Sequence, residues 1–276
     1  MSQSRTSLPV IGAALTVADL ERLHNWVMES GRDVELQEFC IPEVLNADWR
    51  PLVERYRKLL DGYTGRLGIH GPFWEFDIST RDPDIRAVIQ KRLTQGLDVC
   101  EALGATNMVI HSPFTIWGHN NYDNSDGEIE RFTRRVHKCI GAAVKRAAEI
   151  GCEIVLENVE DIDPHARVRL ADTFNSPALK ISLDTGHAYY CYKIQGAPPV
   201  DYFVKAAGKK LAHIHLQDMD GFADRHWAPG EGEIAWKSVF EAISRYCDNP
   251  RLILELDDRK RLVQGAEYLA SLGLGR

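Results

Sequence analysis

Basic charge is scarce in this chain: 33 Lys and Arg stand against 40 Asp and Glu, for a formal charge of −7 and a pI near 5.8. A polyanion is held by a basic stripe that releases its counterions, so nucleic acid is not an expected partner. Long apolar runs are missing too. No stretch has the length of a membrane span or of a signal-peptide core, and the opening residues MSQSRTS are polar. Residues 1–7 are therefore read as a frayed tail and the protein as cytoplasmic, with no membrane partner. Six cysteines, Cys40, Cys100, Cys139, Cys152, Cys191 and Cys247, include no CxxC pair, which speaks against a zinc ribbon or a redox dithiol. Buried thiols are the expectation. No Pro/Gly/Ser linker divides the 276 residues, and 44% hydrophobic content suffices for one large core, so 1–276 is read as a single domain.

What is present is alternation. Runs rich in Val, Ile and Leu near 9–14, 33–38, 66–70, 107–111, 153–157, 179–183, 211–216 and 251–256 read as strands. Between them, helical periodicity falls near 18–30, 48–61, 83–103, 126–150, 164–173, 199–206, 235–247 and 259–271. Eight repeats of strand then helix predict an α/β fold, a single closed (β/α)8 TIM barrel. Local signals agree: Asp82-Pro83 is an N-cap followed by proline at the first helical position, and Gly104 and Gly151 follow two helix ends. In ERFTRRVHKCIGAAVKRAAEIG, Phe132, Val136, Ile140, Ala143, Val144 and Ala147 recur every three or four positions. The cations beside them, Arg131, Arg134, Arg135 and Lys138, read as a solvated outer face and not as a nucleic-acid surface.

A second regularity lies at the strand ends. His70, His111, Glu157, Asp184, His215 and Glu255 each close or follow an apolar run, in LGIHGP, MVIHSP, IVLENV, ISLDTG, LAHIHL and LILEL. Chance placement yields such a series only at roughly the percent level. In a (β/α) barrel the carboxyl ends of the strands converge on one mouth, which turns a scattered series into a cluster. Glu157, Asp184, His215 and Glu255, from strands five to eight, offer three carboxylates and one imidazole. That mixed set suits Mn²⁺ first, with Zn²⁺, Co²⁺, Fe²⁺ or Mg²⁺ also accommodated. A salt-bridge ring would instead place arginines among the carboxylates. His187, three residues past Asp184, and Asp224 and His226 in ADRHWAPGEG extend the site into loops of the same face. His213 shares a strand face with His215 but stops short of the mouth, so it reads as a core or supporting histidine. His24, His119, His137 and His165 read as loop or surface residues.

These motifs resemble the xylose isomerase-like barrel superfamily of sugar isomerases, epimerases and apurinic-site endonucleases, and above all its sugar phosphate isomerase/epimerase branch. The resemblance runs from GIHGPF to LILEL. It implies that Glu157 of VLEN, Asp184 of LDTGH, His215 before LQD and the last-strand Glu255 hold one divalent ion. The chain is also similar to nucleases of the endonuclease IV type, which hold three zinc ions. By that likeness His70, His111, His187, Asp224 and His226 are additional metal or substrate ligands, leaving one to three ions open.

The function expected is that of an isomerase or epimerase of a sugar or keto sugar, working by proton transfer through a metal-stabilised enediolate. Glu157 and Glu255 are the expected acid/base pair, and His187 orients a substrate hydroxyl when a single ion is bound. Phe73, Trp74 and Phe76, Phe114 and Trp117, and Tyr189, Tyr190 and Tyr192 follow strands three, four and six. Of these, Trp74 and Trp117 are the expected sugar contacts. The loops after strands seven and eight carry no Gly-rich phosphate cradle, which favours a non-phosphorylated sugar, inositol or glycoside. Two other readings use the same residues: dehydration or C–C or glycoside cleavage of a carbohydrate, and phosphodiester hydrolysis. A homodimer closing the mouth is compatible with each.

Overall fold

The computed structural model describes residues 8–276; the expected tail, 1–7, lies outside the described residues. Eight parallel strands close a barrel in chain order: β1 Gly12–Leu15, β2 Val34–Leu36, β3 Leu67–His70, β4 Asn107–His111, β5 Glu153–Glu157, β6 Leu179–Asp184, β7 Leu211–Leu216 and β8 Arg251–Leu254. A parallel barrel wrapped by helices buries both faces of every strand, which is why β4 to β8 read as nearly unbroken apolar runs. Met108, Val109, Ile154, Val155, Leu156, Ile181, Leu183, Ile214, Leu252 and Ile253 are all buried.

The helices form where the apolar spacing places them. Helix Pro83–Leu103 starts on Asp82, whose side chain accepts from the amides of Asp84 and Ile85, and it stops at Gly104 in the left-handed region. Helix Glu128–Ile150 buries Phe132, Val136, Ile140, Val144 and Ala147, while Ala143 is half-buried. On its outer side, Arg131 and Arg135 both pair with Glu128, at 2.9 and 3.0 Å. All six cysteines are buried.

Three expectations need correction. The helix expected over 18–30 is two, Val17–Arg22 and His24–Ser30, because the first ends in its own turn at Leu23. The residues after β6, read as a loop, form helix Thr185–Gln195, because Asp184 caps it by accepting from the His187 amide. β8 ends at Leu254, two residues earlier than expected, although the Glu255 amide still donates to the Leu216 carbonyl.

Register then sets the rim. His111 on β4 pairs with Glu157 on β5, and Asp184 on β6 pairs with His215 on β7. The second match depends on a one-residue irregularity between Ile181 and Ser182, which advances β7 relative to β6. Without that slip, Asp184 and His215 would sit at different heights.

Candidate metal centre and active site

Nine side chains gather at the carboxyl rim in three groups, each with ligand-type atoms within 4.8 Å of one another. The central group is Glu157, Asp184, His215 and Glu255; His70 and His111 join Glu157 on one side, and His187, Asp224 and His226 form the third. Among the described residues, no Arg or Lys forms an ion pair with any of the nine, so the rim is not a salt-bridge ring.

Backbone and buried amides aim each ligand. Asn158 clamps Asp184 by donating from Nδ2 to its carbonyl at 3.0 Å and accepting from its amide at 2.9 Å. Asp184 Oδ1 accepts from the His187 amide at 2.7 Å and from Gln217 Nε2 at 3.1 Å, which leaves Oδ2 to face the group. Gln217 Nε2 also donates to Asp224 Oδ1 at 2.9 Å, tying the central group to the third. Its side chain fills the space above Gly186, where a Cβ would meet it at 2.2 Å, so LDTGH needs glycine there.

The histidines are held through one nitrogen each. His70 Nδ1 lies 2.9 Å from the Gly71 carbonyl, His187 Nδ1 2.9 Å from the Asn158 carbonyl, and His226 Nδ1 3.2 Å from the Glu255 carbonyl. A carbonyl accepts only, so these nitrogens carry protons and Nε2 is the atom each could offer to a metal; in the protein alone, His187 and His226 Nε2 each lie 3.2 Å from Asp224 Oδ2. His226 achieves this with a left-handed backbone, φ 46°, in the loop after β7.

At the centre, His215 Nδ1 stands 3.2 Å from both Glu157 Oε2 and Glu255 Oε2. Glu157 Oε2, Asp184 Oδ2 and His215 Nδ1 are buried without a well-formed hydrogen bond. Such orphans are costly unless something outside the chain satisfies them. Three carboxylate oxygens and an imidazole nitrogen facing one point are the donor set a divalent cation requires, so these residues fit one.

Burial opposes ionisation of Glu157, yet the charges of the adjacent His215 and His187 imidazoles hold its pKa well below the usual carboxylate range. Burial lifts Asp184 to about 6 against the pull of His187, with the Glu157 charge adding to the rise. Burial also lowers His111 to about 3, outweighing nearby Glu157, so its ring is neutral, as a ligand must be. His187, His215 and His226 move the other way. Burial disfavours their charged forms, but Asp184 beside His187, Glu255 beside His215 and Asp224 bonded to His226 prevail, and His226 rises to about 9. In the protein alone, protons supply the positive charge the carboxylates demand.

The aromatic residues divide. Phe73 stacks on His111 at 4.2 Å and Trp74 on Phe73 at 4.8 Å, so Trp74 reaches the rim through one ring. Trp117, 79% exposed, lines a cavity of about 540 Å³ that none of the nine residues borders. Tyr189 turns aside to donate to Glu233 Oε2 at 2.9 Å. A second cavity of about 530 Å³ opens beside His226, with Arg225, Trp227 and Arg261 in its wall. Sequence reasoning missed Glu35 on β2, which is buried beneath His215, and the amides Gln37, Asn158 and Gln217. Glu35 gave little signal, since in DVELQEF a single valine precedes it.

Comparison with known proteins matches this architecture. A fructoselysine 3-epimerase of Shigella flexneri is 22% identical over 231 residues, covering 74% of this chain and 75% of that protein. The structure of a Thermus thermophilus protein soaked with zinc chloride superposes with a TM-score of 0.68 at 24% identity, covering 96% of this chain and 99% of that one. That of a D-tagatose 3-epimerase-like protein gives 0.74 at 18% identity, covering 95% and 96%. The family described as xylose isomerase-like TIM barrel matches residues 34–272, and the chain belongs to it.

Proposed function

We propose that this protein is a divalent-metal-dependent enzyme that isomerises or epimerises a sugar or keto sugar. The observation that carries the reading is the convergence of Glu157, Asp184, His215 and Glu255, with three buried ligand atoms that lack a well-formed hydrogen bond. Fold alone does not choose a reaction, but the epimerase relatives favour sugar chemistry on such a rim.

Those four residues would hold the ion, with Mn²⁺ best matched to three carboxylates. When bound, a divalent ion there supplies positive charge beside neighbouring carbonyl and hydroxyl oxygens and so acidifies the C–H between them. Glu157 is kept ionised and serves as the base for that proton. Glu255 stands three strands further round the ring and returns a proton from the opposite face, as inversion requires. His187, whose Nε2 lies 3.2 Å from Asp224, would exchange that contact for a substrate hydroxyl and so orient it. Trp74 supplies an apolar wall, and exposed Trp117 is available to close over a bound sugar. Arg225 and Arg261 are already paired with Asp220 and Glu231, which favours a substrate without phosphate. The whole chain then acts as one barrel domain on a small molecule in the cytoplasm.

The deciding measurement is deuterium uptake from heavy water into a panel of keto sugars, followed by NMR. Exchange at one carbon, dependent on Mn²⁺ or Co²⁺ and absent in Glu157→Gln and Glu255→Gln, is expected. No exchange across the panel with metal-replete enzyme would discard the reading.

The two flanking triads favour a second reading. His70 and His111 with Glu157, and His187, Asp224 and His226, are more ligands than one ion uses, and with further ions the rim suits phosphodiester hydrolysis. The acidic balance of the chain argues against a polyanionic substrate. Zinc-dependent cleavage of abasic duplex DNA at low salt, lost in Glu255→Gln, would reverse the order of the two.

A further inference from the structure

Beneath the rim lies a second polar layer, supplied by a strand that contributes none of the nine ligands. Glu35 on β2 is buried inside the barrel, and its Oε1 lies 2.9 Å from His215 Nε2 and accepts from Gln37 Nε2, also at 2.9 Å. Its Oε2 is 2.9 Å from His213 Nε2, and His213 Nδ1 is 2.9 Å from the Ser182 hydroxyl.

Counting hydrogens settles the tautomers. A carboxylate offers acceptors only, and at 2.9 Å an unprotonated imidazole nitrogen would set lone pair against lone pair. His215 therefore turns a protonated Nε2 to Glu35 Oε1, whereas His213 Nε2 and Glu35 Oε2 stand close without a well-formed hydrogen bond. His213 Nδ1 is left to accept from Ser182. With Nε2 fixed as the donor to Glu35, His215 Nδ1 is the nitrogen a cation would take, displacing the proton that lies between Glu157 Oε2 and Glu255 Oε2 in the metal-free protein. Gln37 carries the influence further, because the same Nε2 donates to Glu255 Oε1 at 3.2 Å and leaves Oε2 facing His215.

We infer that Glu35 is a positioning residue for the cation: it selects the His215 tautomer whose Nδ1 can bind and, through Gln37, turns Glu255 to present Oε2. The inference rests on the rim being a cation site and is independent of which reaction follows. An outer-sphere carboxylate of this kind fixes ring orientation and raises ligand basicity.

The test is cation binding, read without turnover. Metal-free wild type and Glu35→Gln are titrated with Zn²⁺ by calorimetry and with Co²⁺ by visible absorption. The amide can accept from one imidazole but confronts the other with a donor, so a loss of affinity of about 10–100-fold and an altered Co²⁺ spectrum are expected. A folded Glu35→Gln protein with unchanged affinity and spectrum would overturn the role of Glu35 while leaving the cation site in place. Wild type that takes up neither ion would defeat the site itself, and with it the proposed function. Should Glu35→Gln not fold, long-range ¹H–¹⁵N NMR of zinc-loaded wild type decides: a protonated Nε2 and coordinated Nδ1 on His215 are expected, and the reverse overturns the inference.

Discussion

At the scale of single residues, Glu157 has the most at stake, since it belongs to two of the three ligand groups. Glu157→Gln keeps the shape but gives up the charge and puts a donor where a cation would sit. We expect it to lose metal retention and turnover together, with kcat reduced at least about a hundredfold; metal analysis after gel filtration and the exchange assay report the two effects separately. Gly186→Ala is a subtler case. Its Cβ would collide with Gln217 at 2.2 Å, displacing the amide that ties Asp184 to Asp224. Weaker metal binding and a destabilisation of about 1–3 kcal/mol are expected, measured by titration and by chemical denaturation. Six of the nine rim residues could be read from the chain because each closes or follows an apolar run and carries a side chain fit for a metal; His187, Asp224 and His226 were read from their place in LDTGH and ADRHWAPGEG. Glu35 was passed over because it sits in the middle of short β2, with only Val34 before it, and not at a strand end. Gln37, Asn158 and Gln217 gave no warning: amides are common in loops, and only their partners in space reveal their use.

At the scale of elements, the strand ends work because neighbouring strands are tied together above the sheet. Asn158, just past β5, bonds both backbone groups of Asp184 at the end of β6 and also accepts from buried Arg167 at 3.4 Å. Asn158→Ala would leave those groups unmet in a dry interior, at a cost of about 2–4 kcal/mol. A lower urea midpoint together with weakened cation binding is expected, because Asp184 loses its fixed height. Strands and long helices were legible because burial on both faces leaves short apolar runs that alternate with longer segments of helical period. The helix after β6 was not, because TGHAYYCYKIQ places aromatic and polar residues on every side and its start depends on a cap supplied by a ligand residue. The irregularity between Ile181 and Ser182 was equally hidden: pairing register is a property of two strands and is written in neither.

For the molecule as a whole, the closed barrel brings like charges to one rim and compensates them with protonated histidines. His226 has its pKa raised from 6.5 to about 9, and His187 and His215 also lie above their ordinary value. A raised pKa contributes stability that is complete below the unfolded value and disappears as pH climbs through the folded one. Metal-free protein is therefore expected to lose on the order of 1–3 kcal/mol between pH 6.5 and 9. Mn²⁺ should abolish that decline by replacing the protons, and metal affinity should rise over the same interval. Thermal melts with and without a chelator across this range check both effects; parallel curves would contradict the exchange of protons for metal.

The double membership of Glu157 has a consequence for how the rim fills. Once a cation engages this carboxylate from one side, the residual charge available to a neighbour falls, so successive ions bind unequally and the last is the easiest to strip. Occupancy would then track the free-ion concentration around the protein. On the proposed reading, metal supply would then govern how many of the three ligand groups are filled.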